Sequence, residues 1–97
     1  MALELSGADL RAILLQLADV LDPSEPRWAH AMRGFAARLA SGSESPGDVA
    51  RDILGIFAGM GSFSDVVLQD RSGVKPEQSQ LDALRSSLFR TARQSLQ

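Results

Sequence analysis

Apolar residues recur along this chain at three- and four-residue steps in four separate stretches, the spacing of amphipathic helices. In the first, Leu10, Ile13, Leu14, Leu17, Val20 and Leu21 fall within one arc of about 120° at 100° per residue, with Arg11, Gln16 and Asp19 outside it. The pattern predicts a helix starting near Ser6, capped by Ser6 with Asp9 at the reciprocal position. It closes at Asp22-Pro23, because a residue before proline avoids the α region. A second helix is expected to begin with Ser24, with Pro26 in its first turn. Trp28, Met32, Phe35 and Leu39 form its apolar stripe, flanked by Ala31 and Ala36, and Gly34 lies off the stripe. Residues 41–44 read as a loop. The third helix has the clearest start, with Ser45 as cap, Pro46 at the first position and Asp48 near the positive end of the dipole. Val49, Ile53, Ile56, Phe57 and Met60 make its buried face, and Gly59 and Gly61 mark its expected end.

Residues 61–70 break the pattern. Val66-Val67-Leu68 favours a strand by propensity, but a strand needs a partner, and Ser62 with Asp65 spells a capping box. The preferred reading is a short helical turn over about 63–68, with a strand as the other option, followed by a turn at 71–75. The last helix is expected from Pro76 to Leu96, with Leu81, Leu84, Leu88, Phe89, Ala92 and Leu96 on one arc. Four such stripes cannot be satisfied singly in water. The predicted fold is all-α, a compact antiparallel bundle of four main helices with a short helical turn before the last, forming one domain over residues 1–97.

Composition narrows the functional classes. With 10 basic against 12 acidic residues the net charge is −2, which disfavours a non-specific grip on nucleic acid. There is no cysteine, so disulfides, zinc–thiolate sites and cysteine nucleophiles are excluded. The first residues have neither the basic nor the apolar stretch of a signal peptide, and no apolar run approaches a membrane span, so the chain reads as cytoplasmic.

The candidate chemistry is sparse. His30, the single histidine, points away from the apolar stripe of its helix and reads as a solvated surface residue. Asp48 and Asp52 lie one turn apart, which suits cation binding or acid–base work, but also describes an acidic helix face. Gly59-Met60-Gly61-Ser62 invites a phosphate-loop reading that fails for want of a preceding strand and a Gly-Lys-Ser/Thr ending. No catalytic set, cofactor motif or metal-ligand set emerges. Arg85 is the most informative residue, since it points inside the apolar arc between Leu81 and Leu88. Either its head reaches an internal carboxylate or carbonyls, with Asp65 and Asp52 the natural acids, or it lies in a contact groove for a partner. Arg90 and Arg93, following Arg71 and Lys75, suit the helix dipole or mark half of an electrostatic interface.

The run Gly59-Met60-Gly61-Ser62-Phe63-Ser64-Asp65 followed by Val66-Val67-Leu68, with Leu81-Asp82-x-Leu84-Arg85-x-x-Leu88-Phe89 downstream and Trp28 upstream, resembles a family of small bacterial domains of unknown function, DUF6966. Ser64 stands where that family's pattern has Asn. The resemblance covers about residues 25–96 and implies no mechanism. Gly59, Gly61, Ser62, Phe63, Asp65 and Arg85 are the candidate partner-contact or structural motif. The leading expectation is a non-enzymatic protein-binding module without cofactor, a cytoplasmic immunity protein that neutralises a toxin. The alternatives are a helix-turn-helix DNA-binding regulator using the last helix, and a small-molecule-binding or enzymatic domain centred on residues 59–65.

Overall fold

The computed structural model describes residues 7–58 and 62–96. Four helices dominate: α1 (Gly7–Leu21), α2 (Pro26–Ser41), α3 (Pro46–Gly55) and α4 (Gln78–Gln94). A 3-10 turn (Phe63–Asp65) and a two-residue antiparallel ladder, β1 (Gln69–Asp70) with β2 (Gly73–Val74), lie between α3 and α4. The bundle expectation holds. α1 packs along both α2 and α4, and α3 closes against α4 and, less extensively, α2. A link as short as residues 22–25 between helices packed along their length makes α1 and α2 antiparallel.

The stripes read from the sequence form one core. Leu10, Leu14, Leu17 and Leu21 of α1 have no solvent exposure, and Met32, Ile53, Leu81 and Leu88 join them from the other three helices. Trp28, Phe35, Leu39, Ile56, Phe57 and Leu84 are half-buried around that centre.

Several local expectations are corrected. The Ser6 cap falls outside the described residues. Ser24 does not cap α2; Glu25 holds that position without a side-chain bond, with Pro26 as the first helical residue. Ser24 instead accepts a hydrogen bond from the Lys75 ammonium. The α2 end is set by Gly42 in the left-handed region at φ 71°, where glycine has no Cβ to clash. Ser45 caps α3 as expected, accepting from the Asp48 amide. That helix ends at Gly55, well before Gly59 and Gly61, which lie outside the described residues, as does Met60. Amides 56 and 57 bond three residues back, to Ile53 and Leu54, tightening the exit into a turn. The helical turn expected over 63–68 is confined to 63–65. Residues 66–68 are extended and lead into β1, whose partner, β2, lies just across the Arg71-Ser72 turn. The last helix begins at Gln78 rather than Pro76, and Phe89 and Leu96, expected on its buried arc, are 39% and 43% exposed.

Candidate functional site

The segment after α3 is built around Phe63. Its amide donates to the Ile56 carbonyl at 2.8 Å, bringing the chain back onto the end of α3. The ring has no exposure and sits 5.0 Å from Trp28 and 5.7 Å, edge-on, from Phe57, whose own ring meets Phe89 at 5.2 Å. Aromatic pairs at these separations add to the stability given by apolar burial. The Ser62 and Ser64 hydroxyls are 2.7 Å apart, and Ser64 Oγ lies 3.2 Å from the Phe57 carbonyl. The Ser62 hydroxyl also lies 3.5 Å from the Phe57 carbonyl, so the two hydroxyls and that carbonyl form one small network. The capping box expected from Ser62 and Asp65 is not formed through Ser62, whose side chain makes no cap bond.

Arg85 completes the arrangement from α4. Its Nη1 donates to the carbonyls of Phe63 (2.9 Å) and Val66 (2.8 Å), and its Nη2 donates to Asp82 Oδ1 (2.8 Å). The guanidinium carbon lies 5.7 Å from the centre of the Phe63 ring, within cation–π range, and the side chain is only 14% exposed. The expectation of a burial-prone arginine with internal partners is met. The carboxylate it meets is corrected from Asp65 to Asp82, one turn back on its own helix; Asp65 is exposed.

Sequence reasoning missed two members of this cluster. Gln78 Oε1 accepts from the Leu68 amide at 2.6 Å, while Gln78 Nε2 donates to the same Asp82 Oδ1 at 2.8 Å. Gln78, Asp82 and Arg85 thus stand at i, i+4 and i+7 on one edge of α4 and grip the backbone of residues 63–68 at three points. That spacing was the available signal, masked because the apolar arc drew attention to Arg85 alone.

The remaining candidates separate. His30 is exposed on α2. Asp48 and Asp52 do not act together: Asp48 meets Arg51, and Asp52 meets Arg38. Arg38 also takes both oxygens of Glu44, at 2.8 and 2.6 Å, and so ties the end of α2 to the following loop and to α3. The hydrogen bonds from Arg38 hold the Glu44 carboxyl below its ordinary range. Among the described residues there is no group of three or more histidine, aspartate or glutamate side chains placed to hold a metal. No helix among them is long and apolar enough to cross a membrane.

Two surface features were not anticipated. One is an open groove of about 550 Å³ where α1 and the link after it meet the segment leading into α4, lined by Gln16, Asp19, Ser24, Asp70, Lys75 and Glu77 among others. The other is a shallow recess of about 310 Å³ on α4, lined by Phe89, Arg90, Arg93 and Gln94. The Arg93 guanidinium lies 5.8 Å from the Phe89 ring centre.

Comparison with known proteins returns one family. Residues 22–77, more than half of the chain, match a family described as a domain of unknown function, DUF6966. No curated protein and no solved structure matches. The matched region spans α2, α3, the Phe63 segment and the ladder, and stops short of Gln78, Asp82 and Arg85. The chain belongs to the DUF6966 family.

Proposed function

We propose that this chain is a non-enzymatic protein-binding module, an immunity protein that acts in the cytoplasm by covering a toxin effector. The observation that carries this reading is where the polar groups of the candidate motif point. Arg85 is engaged by two carbonyls and a carboxylate, and Ser62 and Ser64 are engaged with each other and the Phe57 carbonyl. A general acid, base or nucleophile must reach a substrate. Arg85 and Ser62 face inward and stiffen the scaffold that presents the molecule's outer faces, while Ser64 and Asp65 lie at its surface. A rigid domain with a modest acidic excess suits recognition by surface rather than by chemistry.

The groove beside Lys75 favours a second reading, a small-molecule-binding domain, because its volume falls within the range of ligand clefts. The helix-turn-helix alternative draws only on the arginines of α4, against a net charge of −2.

The test is co-expression with the product of the reading frame adjacent to its gene. The proposal expects that product to arrest growth alone, growth to recover with this chain, and the two purified proteins to migrate as one complex. A harmless neighbour, or arrest that persists in cells containing the folded chain, contradicts it.

A further inference from the structure

We infer that the outer face of the C-terminal half of α4, formed by Phe89, Arg90 and Arg93 with Leu96 just beyond the helix end, docks an acidic amphipathic segment of a partner protein. The inference rests on the protein-binding reading above and names the chemistry of the partner.

Phe89, Arg93 and Leu96 follow one another at i, i+4 and i+7, so they share a face of the chain's last turns. Phe89 is 39% exposed and Leu96 43% exposed. The Phe89 ring is held on one side, edge-on against Phe57 at 5.2 Å with the Arg93 guanidinium 5.8 Å from its centre. A side chain ordered before binding loses little further freedom on binding. The recess beside it, about 310 Å³, lies at the small end of ligand sites and is open, which suits one anchoring side chain of a larger partner. Aromatic and arginine side chains are the types that dominate binding energy in protein interfaces.

Charge selects the partner. Arg33, Arg38, Arg51 and Arg85 each meet a carboxylate within this molecule. Among the described residues, Arg11, Arg27, Arg71, Arg90 and Arg93 meet none, and of these Arg90 and Arg93 stand together beside an exposed aromatic ring in one recess. Two guanidiniums with free donor edges, flanking an exposed phenyl ring, match carboxylates beside an apolar side chain. Phosphates also match arginine. A phosphodiester backbone, however, offers no apolar group to cover the exposed Phe89 ring at the contact, so a protein segment carrying both carboxylates and apolar side chains is the occupant the surface favours.

The experiment titrates three labelled probes into the full chain: a peptide with glutamates and leucines at helical spacing, its scrambled form, and a duplex DNA. The same titrations use the charge-reversed pair Arg90→Glu/Arg93→Glu and, as control, Arg51→Glu on α3. The amphipathic peptide should bind saturably and more tightly than the other two probes, weaken with salt, and lose at least about tenfold in affinity on the charge-reversed pair alone. Circular dichroism and the thermal midpoint of that pair should match the parent. Absence of saturable binding, equal binding by the scrambled peptide or the charge-reversed pair, or preference for DNA overturns the inference. Co-expression separates the two claims. If the charge-reversed pair still neutralises the neighbouring product, the surface is wrong and the protein-binding reading stands. If the parent does not neutralise it, that reading fails while the titration still decides the surface.

Discussion

The partners of Arg85 differ in how they are solvated. The carbonyls of Phe63 and Val66 lie under α4, whereas Asp82 is 57% exposed and can turn to water. Charge-assisted bonds to sheltered carbonyls therefore matter more than the ion pair, whose exposed half limits its worth to less than ~1 kcal/mol. The same logic ranks the aromatic residues. Phe63 is fully enclosed, so Phe63→Ala should cost about 3–5 kcal/mol in equilibrium unfolding. Phe57 is half-buried, and Phe57→Ala should cost clearly less, about 1–3 kcal/mol. Equal losses would mean that Phe57 carries as much of the core as Phe63. That Arg85 turns inward was legible from its place between Leu81 and Leu88. Its partners were not, because a sequence displays its carboxylates but not which backbone carbonyls a fold brings near a given helix face.

Helix boundaries follow from local chemistry where it is strong. Ser45-Pro46 starts α3 as the sequence indicates, since a hydroxyl acceptor and a proline lacking an amide both suit the first turn. Ser24 fails as a cap, because Pro26 fixes the start of α2 at a point where Glu25 takes the flanking position. The ladder was missed for a related reason. Val66-Val67-Leu68 appeared to lack a partner, yet the pairing begins only at Gln69, and Gly73 at φ 114° closes the return. Gly34 sits exposed inside α2 with open space where a Cβ would point, so Gly34→Ala should stabilise by about 0.5–1 kcal/mol. No gain in the thermal midpoint would contradict the helical placement of that residue. The Arg38–Glu44–Asp52 cluster adds a pH dependence. The Glu44 carboxyl is held below its ordinary value in the folded state, so its contribution is present above that ordinary value. The contribution fades as the pH falls through the lowered one. Acid titration of stability should therefore be shallower in Glu44→Gln than in the parent; identical acid limbs would show that Arg38 does not hold Glu44 in solution.

The family match and the folded unit do not coincide. α1 and α4 lie wholly outside residues 22–77, yet they supply Leu10, Leu14, Leu17, Leu21, Leu81 and Leu88 to the centre of the core. A fragment of residues 22–77 should therefore remain largely unfolded by circular dichroism, because Phe63, Val66 and Leu68 would lose the helices that cover them. A cooperative thermal transition in that fragment would contradict this division of labour. Fold class and the four apolar faces were readable from periodicity, since each stripe demands burial. The groove beside Lys75 and the outward turn of Phe89 were not, because periodicity reports which face is apolar but not how far neighbouring helices reach along it. The protein-binding reading rests on one structural claim: the Phe63 segment and its grip by α4 form a scaffold rather than a contact site. Urea unfolding of Arg85→Ala tests it most directly. The account predicts a loss of about 1–3 kcal/mol with an unchanged dependence on urea, as the Val66 carbonyl loses its donor, the Phe63 carbonyl keeps only the Val66 amide, and the Phe63 segment loosens. An Arg85→Ala chain as stable as the parent, yet unable to neutralise or bind, would contradict it and return Arg85 to the contact surface.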